Sequence, residues 1–311
     1  MSGGMKVTFH GVRGSTPCDG PQLARYGGNT SCVAVEVEGQ APIVFDLGTG
    51  LRNFGLSLLE QTPFPDLDFH GTVLLSHLHW DHVQGLPFFV PLHRPGNTFD
   101  VYGPQQEGGP LDEVFTGMMQ PPYFPITPDQ LKGKITFHDV GQDDFPLSTT
   151  AKVRSRWIRH VGPTLGYRLE WQGASIAYLS DHGQGCAGTQ SKASIADDRT
   201  DDFVPDDVLD LCDGVDLLIH DAQHTPAEFE TKRHWGHCTV DYAVHVAKEA
   251  GAQRLALFHH DPAHDDDTLD LLVKMAADVS AHIGGGEVLG ASEGLVLELG
   301  SQPSSPSGDQ A

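Results

Sequence analysis

Basic side chains are scarce in this chain. Lys and Arg number 19 among 311 residues, whereas Asp and Glu number 42, which gives a formal net charge of −23. A protein that holds a long polyphosphate backbone normally presents a basic face. The composition therefore disfavours long nucleic acid as a partner and favours a small-molecule substrate.

Long apolar runs and a cysteine framework are also missing. No apolar stretch approaches the roughly 18 residues that indicate a membrane-spanning helix. The first residues, MSGGMKVTFH, lack the basic and apolar regions of a secretory signal. The cysteines are odd in number and form no CxxC pair; they are Cys18, Cys32, Cys186, Cys212 and Cys238. We therefore expect reduced thiols, no membrane association and a cytoplasmic location.

Four side chains that can bind a metal fall within the segment HLHWDH, directly after an apolar run. They are His77, His79, Asp81 and His82. In an extended segment His77 and His79 point to the same side, and the other two follow at the next turn. Imidazole and carboxylate without thiolate suit zinc, manganese or iron, and two such ions close together activate a water for hydrolysis. The segment predicts a metal centre rather than a histidine-rich polar turn.

Strand and helix signals occur in two successive sets. In the first set, β-branched residues bounded by Gly, Pro or Asn predict strands, and a helix precedes the strand that carries the histidines. These strands are 6–10, 32–37 and 43–46, with the helix at 51–61. A second strand-rich half comprises strands 134–139, 152–158, 165–170, 175–180 and 216–220, then helix 240–250, strand 254–259, helix 268–282 and strand 295–299. Such a repetition predicts two sheets sandwiched between helices.

The order of these elements predicts one catalytic domain over residues 1–299. The tail 300–311, GSQPSSPSGDQA, has the composition of a disordered segment. Residues 104–134 are rich in Pro, Met and aromatic residues and predict either a cover over a pocket or a hydrophobic connector. Residues 183–205 are polar and acidic enough to be mobile.

The chain resembles the metallo-β-lactamase-fold hydrolases. The resemblance rests on HxHxDH, on the lone His160, on Asp181 in IAYLSDHG and on a late histidine in LFHHDP, and it covers roughly residues 7–299. It implies an α+β fold, a four-layer αββα sandwich, with two divalent metal ions at the ends of the strands. Zinc is the favoured ion, with manganese or iron as alternatives.

The resemblance also implies which residues hold each ion. One ion would be bound by His77, His79 and His160, the other by Asp81 and His82, and Asp181 would bridge the two. A late histidine completes the second site. Its spacing to Pro262 favours His259 over His260.

A second pair of motifs resembles the ribonuclease Z-like phosphodiesterase branch of these hydrolases. Asp221 ends the strand LLIHD, and His237 lies in WGHCT. In that branch the histidine contacts the scissile phosphate and assists the leaving oxygen, helped by an acidic residue. The chain departs from the pattern at Cys238, which replaces Ser, and at Asp221, which replaces Glu. We predict His237, Asp221 and Asp81 as catalytic residues; the alternative for His237 is a role in capping the following helix.

Three further residues have two readings each. Asp46 in FDLGTG either orients a histidine ligand through a hydrogen bond or stabilises a turn. GVRGSTP and YGGNTSC resemble a bacterial subgroup related to cyclic-nucleotide phosphodiesterases. Arg13 and Asn29 in these two loops either contact a phosphate or serve as turn residues.

These patterns predict a dinuclear metal-dependent phosphodiesterase that cleaves a small phosphodiester, such as a cyclic nucleotide, through a hydroxide bridging the metals. The alternatives are an RNA-processing nuclease similar to ribonuclease Z and a carbonyl hydrolase such as a lactonase or β-lactamase. A nuclease that processes transfer RNA would need a basic arm, and the insertion at 183–205 is acidic instead. A metal-stabilised binding module without catalysis is a fourth reading. The family resemblance also implies a homodimer.

Overall fold

The protein is described by a computed structural model over residues 4–185 and 201–300. The predicted disordered tail from residue 301 onward and most of the predicted mobile segment 183–205 lie outside these described residues, as does Cys186.

Fourteen strands and seven α-helices are described within these ranges. The strands are β1 (Met5–Gly11), β2 (Cys32–Glu36), β3 (Ile43–Phe45), β4 (His70–Leu74), β5 (Thr98–Pro104), β6 (Lys134–Val140), β7 (Asp144–Pro146), β8 (Ala151–Trp157), β9 (Leu165–Trp171), β10 (Ala174–Leu179), β11 (Leu217–Asp221), β12 (Arg254–Phe258), β13 (Glu287–Gly290) and β14 (Val296–Leu299). The helices are α1 (Gly50–Gln61), α2 (Trp80–Val83), α3 (Leu111–Met118), α4 (Asp206–Cys212), α5 (Pro226–Lys232), α6 (Val240–Glu249) and α7 (Asp266–His282).

The strands form two mixed sheets. The first has the order β14-β1-β2-β3-β4-β5-β6, and the second has the order β13-β12-β11-β10-β9-β8-β7. Strands β3 to β6 run parallel to one another in the first sheet, as do β10 to β13 in the second. Because the carboxyl ends of parallel strands lie at one edge of a sheet, the residues that follow β4, β10, β11 and β12 can converge.

Burial patterns follow from this layering. In β1 the side chains of Met5, Val7 and Phe9 are buried and alternate with partly exposed residues, as expected for a strand with one face on a core. Strand β11 is buried along its whole length, because the other sheet covers one face and helices cover the other.

Three apolar clusters hold the layers together. The central cluster lies between the sheets, where Phe45 and Tyr178 stack with ring centroids 4.7 Å apart. A second cluster packs α4, α6 and α7 on the outer face of the second sheet. The third packs α1 and α3 on the outer face of the first sheet. The order helix–sheet–sheet–helix is the predicted four-layer arrangement.

The predicted elements agree with the observed ones to within a few residues, apart from one strand in a different sheet and several elements that the sequence does not predict, including the short helices α3, α4 and α5. Residues 134–139 were placed in the second half, but β6 is an edge strand of the first sheet beside β5. Strands β5, β7 and β13 were not predicted. β5 contains Gly and Pro, and β7 and β13 are very short, so each lacks the usual strand signal.

No helix within residues 4–185 and 201–300 is both long enough and apolar enough to cross a lipid bilayer.

Candidate metal centre

The HxHxDH segment forms the turn between β4 and the short helix α2. His77 and His79 lie in the extended part of this turn, and α2 begins at Trp80, so Asp81 and His82 lie on its single helical turn. His77, Asp81 and His82 are buried. The tight strand-to-helix turn therefore brings four polar side chains together, of which three are buried and His79 is exposed.

The first group of side chains contains His77, His79, His160 and Asp181, which offer ligand atoms within 4.8 Å of one another. Nδ1 of His79 lies 3.1 Å from Nε2 of His160. Oδ2 of Asp181 lies 3.7 Å from Nε2 of His77 and 3.5 Å from Nε2 of His160. Ligand atoms about 2.0–2.2 Å from one tetrahedral zinc ion lie roughly 3.4 Å apart, so the group has the spacing of a metal site.

The second group contains Asp81, His82, Asp181 and His259. Oδ1 of Asp181 lies 3.1 Å from Nε2 of His82 and 3.2 Å from Nε2 of His259. Oδ2 of Asp81 lies 3.2 Å from each of the same two nitrogens. Asp181 is thus shared, with one carboxylate oxygen facing each group.

Unpartnered polar atoms support a bound cation. Nε2 of His77, Nε2 of His82 and Oδ1 of Asp181 are buried, and within the described residues none has a partner in hydrogen-bonding geometry, although the His82 and Asp181 atoms lie 3.1 Å apart. Buried polar atoms are rarely left in this state, and those that are require an explanation. All three face the shared centre, so a divalent cation fits the residues present.

Four of the histidines direct Nε2 toward the metal centre, and in each of them the other ring nitrogen, Nδ1, lies within hydrogen-bonding distance of a partner. Nδ1 of His82 lies 2.7 Å from Oδ2 of Asp46, and Nδ1 of His259 lies 2.9 Å from Oε1 of Gln223. Nδ1 of His160 lies 2.7 Å from the carbonyl oxygen of Gly236. Nδ1 of His77 lies 2.9 Å from Oγ of Ser76. Such partners fix the ring orientation and the tautomer of a metal-binding histidine.

Asp46 has the orienting role proposed for it from the sequence. Its carboxylate also accepts hydrogen bonds from the backbone N–H of Ser76 at 2.7 Å and from the hydroxyl of Tyr178 at 2.7 Å. Its φ of 59° lies in the left-handed region, which Asp and Asn tolerate better than most residues. Asp46 therefore orients His82, and its positive φ belongs to a tight turn; its carboxylate hydrogen bonds go to Ser76, His82 and Tyr178.

The electrostatic field of the centre favours positive charge. Burial alone would lower the pKa of His82, but Asp181, Asp81 and Asp46 outweigh it and raise this pKa well above its usual value. Burial alone would raise the pKa of Asp181, but its histidine neighbours hold it well below the usual value. The carboxylate is therefore ionised throughout the physiological range, as a metal ligand must be.

His160 behaves in the opposite way. Burial lowers its pKa to about 4, and nearby Asp181 only partly offsets this effect. The ring is therefore neutral near pH 7, with Nε2 free to act as a ligand.

Asp221 and His237 form a buried pair beside the centre. Oδ2 of Asp221 lies 2.7 Å from Nδ1 of His237, and the His237 ring stacks on His259 with centroids 4.9 Å apart. Asp221, His237 and His259 are also close enough to hold an ion, but the short Asp221–His237 contact already uses Nδ1. The geometry therefore favours a carboxylate–histidine dyad over a third ion site.

Other residues singled out from the sequence lie away from the centre. His260 points its Nε2 at the carbonyl oxygen of Ala291, 2.9 Å away, so it is His259 that faces the two carboxylates. Arg13 is buried and donates hydrogen bonds to backbone carbonyls, and Asn29 pairs with Glu293. Both residues therefore hold their loops in place, as the structural interpretation of these loops predicts, and neither is directed at the metal centre.

Comparison with known protein families agrees with this geometry. The family described as "Beta-lactamase superfamily domain" matches residues 42–260, more than half of the chain. The chain belongs to this superfamily. Among curated proteins, a ribonuclease Z of Brevibacillus brevis is 25% identical over 261 residues, covering 73% of this chain and 78% of that protein.

Solved structures of this superfamily share the fold. The metallo-β-lactamase-fold protein YhfI from Bacillus subtilis has a TM-score of 0.67 at 21% identity and covers 95% of this chain and 99% of its own. The short form of human tRNase Z has a TM-score of 0.63 at 22% identity, covering 94% and 98%. The predicted αββα sandwich is confirmed, and the superfamily together with the His/Asp clusters supports a metal-dependent hydrolase.

Sequence reasoning missed several residues of this superfamily site. Gln223 orients His259, and the backbone N–H of Ser15 donates a 2.7 Å hydrogen bond to Oδ2 of Asp81. Gly14, next to Ser15, packs directly against the ring of His259. The glycine in GVRGSTP was a usable signal for such a close approach, whereas nothing near Gln223 in the sequence indicated its contact.

A pocket of about 480 Å³ opens over the centre. It is lined by Ser15, Leu78, His79, Trp80, Asp81, Asp181 and His237. Both proposed ion positions and the dyad can therefore be reached from solvent through one opening.

Proposed function

We propose that the chain is a dinuclear metal-dependent phosphodiesterase with its catalytic unit over residues 1–299. One divalent ion, zinc in preference to manganese or iron, would be held by His77, His79, His160 and Asp181. The second would be held by Asp81, His82, Asp181 and His259. The spacing of these atoms and the three unpartnered buried atoms support both positions.

The side chains of the centre would have different roles in metal binding and in the orientation of the ligands. Ions bound there would supply Lewis acidity and a water of lowered pKa as the hydrolytic nucleophile. Asp46 and Gln223 hold His82 and His259 in the orientation that presents Nε2 to the centre. Asp81, besides being a ligand, is fixed by the N–H of Ser15 at the pocket floor, where a substrate phosphate would lie.

The observation that carries phosphodiester chemistry is the Asp221–His237 pair. His237 lines the pocket, and Asp221 accepts the hydrogen bond of its Nδ1, which leaves Nε2 to donate a proton. Burial would raise the pKa of Asp221, but the neighbouring His237 outweighs burial and lowers it, so the aspartate stays ionised. A histidine held in this way can protonate a leaving alkoxide, which hydrolysis of a lactone or β-lactam does not require.

The test of this role is its dependence on the leaving group. A general acid contributes about 10²–10⁴-fold when the leaving group is a poor one. In His237→Ala, we expect kcat on an alkyl phosphodiester to fall by about that factor, while kcat on a p-nitrophenyl phosphodiester falls much less, since p-nitrophenolate leaves without protonation. His234→Ala, which removes an exposed histidine nearby, is the matched control and should lower neither rate. Equal losses on both substrates would refute the proton-donor role.

The substrate has two candidates, and each has its own support. Relatives named ribonuclease Z support RNA as the substrate, which the sequence analysis gives as the alternative to a small phosphodiester. The net charge of −23 favours a small phosphodiester such as a cyclic nucleotide. The relatives are the stronger support because they match 73% and 84% of the chain.

A substrate panel separates the candidates. The metal-loaded protein is offered a precursor transfer RNA, 3′,5′-cyclic AMP, 2′,3′-cyclic AMP and a lactone, each against a chelated control. Cleavage of the transfer RNA at its 3′ side supports the ribonuclease reading, and ring opening of a cyclic nucleotide supports the small-substrate reading. Turnover of the lactone alone would replace both with carbonyl hydrolysis. A cytoplasmic location and a homodimer stay predictions.

A further inference from the structure

Trp80 stands between the metal centre and a second pocket. It follows His79 directly, and its side chain is 72% exposed although it lies between two proposed ligands. The indole lines the 480 Å³ pocket over the centre and also a neighbouring pocket of about 250 Å³. The two pockets therefore adjoin at one aromatic ring.

The second pocket is aromatic and uncharged. Beyond Trp80, its lining includes Gln84, Phe88, Met118, Tyr123 and Phe124, and none of its lining residues is charged. Phe88 and Phe124 meet edge to face, with ring centroids 5.9 Å apart and an interplanar angle of 88°. We call this space the aromatic pocket. Met118, Tyr123 and Phe124 belong to the Pro- and Met-rich segment 104–134, so that segment lines a pocket beside the centre rather than acting only as a connector.

The exposure of Trp80, Phe88 and Tyr123 indicates a ligand-binding surface. Tyr123 is 76% exposed and Phe88 is 55% exposed, and with Trp80 they form a group of large aromatic side chains open to solvent beside a catalytic centre. Scattered exposed apolar residues are normal, whereas a cluster that borders a cleft marks a binding site. The rings thus point to a ligand with a flat face.

The volume limits what can enter. Pockets that hold a complete small ligand usually measure about 300–1,000 Å³, and the aromatic pocket lies just below that range. Its size suits one ring system, and the rest of the same ligand would extend past Trp80 into the pocket over the metal centre. The side chains of Gln84 and Tyr123 supply the polar groups that could meet the edge of a heterocycle.

We propose that the aromatic pocket binds a nucleobase of the substrate while its phosphodiester lies at the metal centre, with Trp80 and Tyr123 as the stacking surfaces. The proposal rests on the phosphodiesterase function and specifies its substrates as nucleotide esters. Stacking on aromatic side chains is tolerant of base identity because every base has a flat π-face. Trp80, Phe88 and Tyr123 are accordingly specificity-determining residues that act on binding and not on the chemical step.

The test compares two esters with the same leaving group. Thymidine 5′-(p-nitrophenyl phosphate) carries a base, and methyl p-nitrophenyl phosphate does not. In Tyr123→Ala and Phe88→Leu, neither of which is next to a proposed ligand, we expect KM for the thymidine ester to rise by about tenfold or more with kcat nearly unchanged. Both parameters for the methyl ester should stay as in the unmodified chain. Trp80→Phe should retain more of the affinity than Trp80→Leu, with metal content measured in each variant.

The matched control is Phe64→Leu, an exposed phenylalanine that does not line the aromatic pocket. It should leave KM for both esters unchanged. Equal KM changes for the two esters in Phe88→Leu and Tyr123→Ala, or none, would overturn the proposal.

Direct binding separates failure of the proposal from failure of the function. Thymidine and adenosine are titrated into the full-length protein, with ribose as the ligand that lacks a base, and binding is followed by ligand-observed NMR. If neither ester is cleaved, and the precursor transfer RNA and the cyclic nucleotides of the substrate panel are not cleaved either, the phosphodiesterase function fails. Nucleoside binding that Tyr123→Ala weakens would still support the aromatic pocket as a base site. An absence of nucleoside binding, or tighter binding of an aliphatic chain such as octanoate, would overturn it.

Discussion

Oδ2 of Asp46 lies 2.7 Å from Nδ1 of His82, on the side of the imidazole opposite the two carboxylates of the metal centre. The pair is buried at 0% exposure for both residues. His82 is thereby held in one orientation before any ion binds, and the negative charge behind the ring increases its basicity.

Replacement of Asp46 by Asn should weaken metal binding at this position. Asn tolerates the left-handed backbone of residue 46, so the turn is retained while the charge on the His82 partner is lost. Loss of such an outer partner typically costs about 10–100-fold in metal affinity. We expect a decrease of that size in the weaker of two zinc affinities, measured by competition with a chelating dye.

Asp100→Asn is the matched control for this substitution. Asp100 also pairs with a histidine, His138, at 3.0 Å, but on the surface. It should leave zinc affinity unchanged. Equal losses in both variants would contradict the role of Asp46.

Asp221→Asn should reduce turnover without removing metal. The amide has no negative charge to hold the protonated ring of His237, so proton donation weakens even though the side chain keeps its shape. We expect kcat on an alkyl phosphodiester to fall by about 10²-fold or more. Zinc content, measured by elemental analysis, should stay at the level of the unmodified protein, and a loss of zinc would indicate a structural role.

Gly14→Ala should disturb His259. A Cβ at residue 14 would collide with Cε1 and Nδ1 of the His259 ring, which Gln223 fixes from the same side. We expect the loss of one bound ion and of most activity. Gly117→Ala adds a Cβ with no neighbour within 4 Å, in helix α3, and should keep both the ions and the activity. Full metal content in Gly14→Ala would contradict the predicted clash.

His260 should make the fold sensitive to acid. Burial lowers the pKa of His260 to about 3, although its hydrogen bond to Ala291 partly offsets this. An unfolded histidine has a pKa of about 6.5, so between pH 6.5 and 3 the unfolded state binds more protons and stability falls as the pH falls. We expect the free energy of unfolding in urea to decrease over this window.

In His260→Gln, which cannot be protonated, the stability curve should be flatter between pH 6.5 and 4.5 than in the unmodified protein. Metal is removed from both proteins before measurement, so that ligand protonation does not contribute through metal release. Parallel curves would show that His260 does not carry the effect.

The strands and the centre were predictable for different reasons. Alternating or continuous apolar residues indicated most strands, and HxHxDH is local, so four of its side chains could be placed together from the sequence alone. The grouping of His160, Asp181 and His259 with them needed the family resemblance, because these residues are distant in the sequence.

Other features of the fold and the centre could not be predicted from the sequence, because they depend on contacts between distant segments. Gln223 and the carbonyl of Gly236 act through contacts that only the folded sheet edge creates. Strand β6 lies in a different sheet from the predicted one because strand signals give no pairing partner, and β5, which links it to the first sheet, ends in Gly and Pro. The aromatic pocket combines residues 80–88 with 115–124: the Pro- and Met-rich segment 104–134 suggested a cover over a pocket, but nothing in the sequence indicated that residues 80–88 form its other wall.

The pairing of β1 with β14 has a consequence for how the chain is made. Met5 lies opposite Leu299 in antiparallel register, so the first strand described pairs on one side with the last strand described, which is synthesised much later. Until that late strand emerges, β1 has β2 beside it but an open edge on its other side. Long-range pairings of this kind slow folding and leave strand edges available for association with other chains. Among the strands described, β1 should therefore be the one whose free edge depends longest on chaperone protection during synthesis.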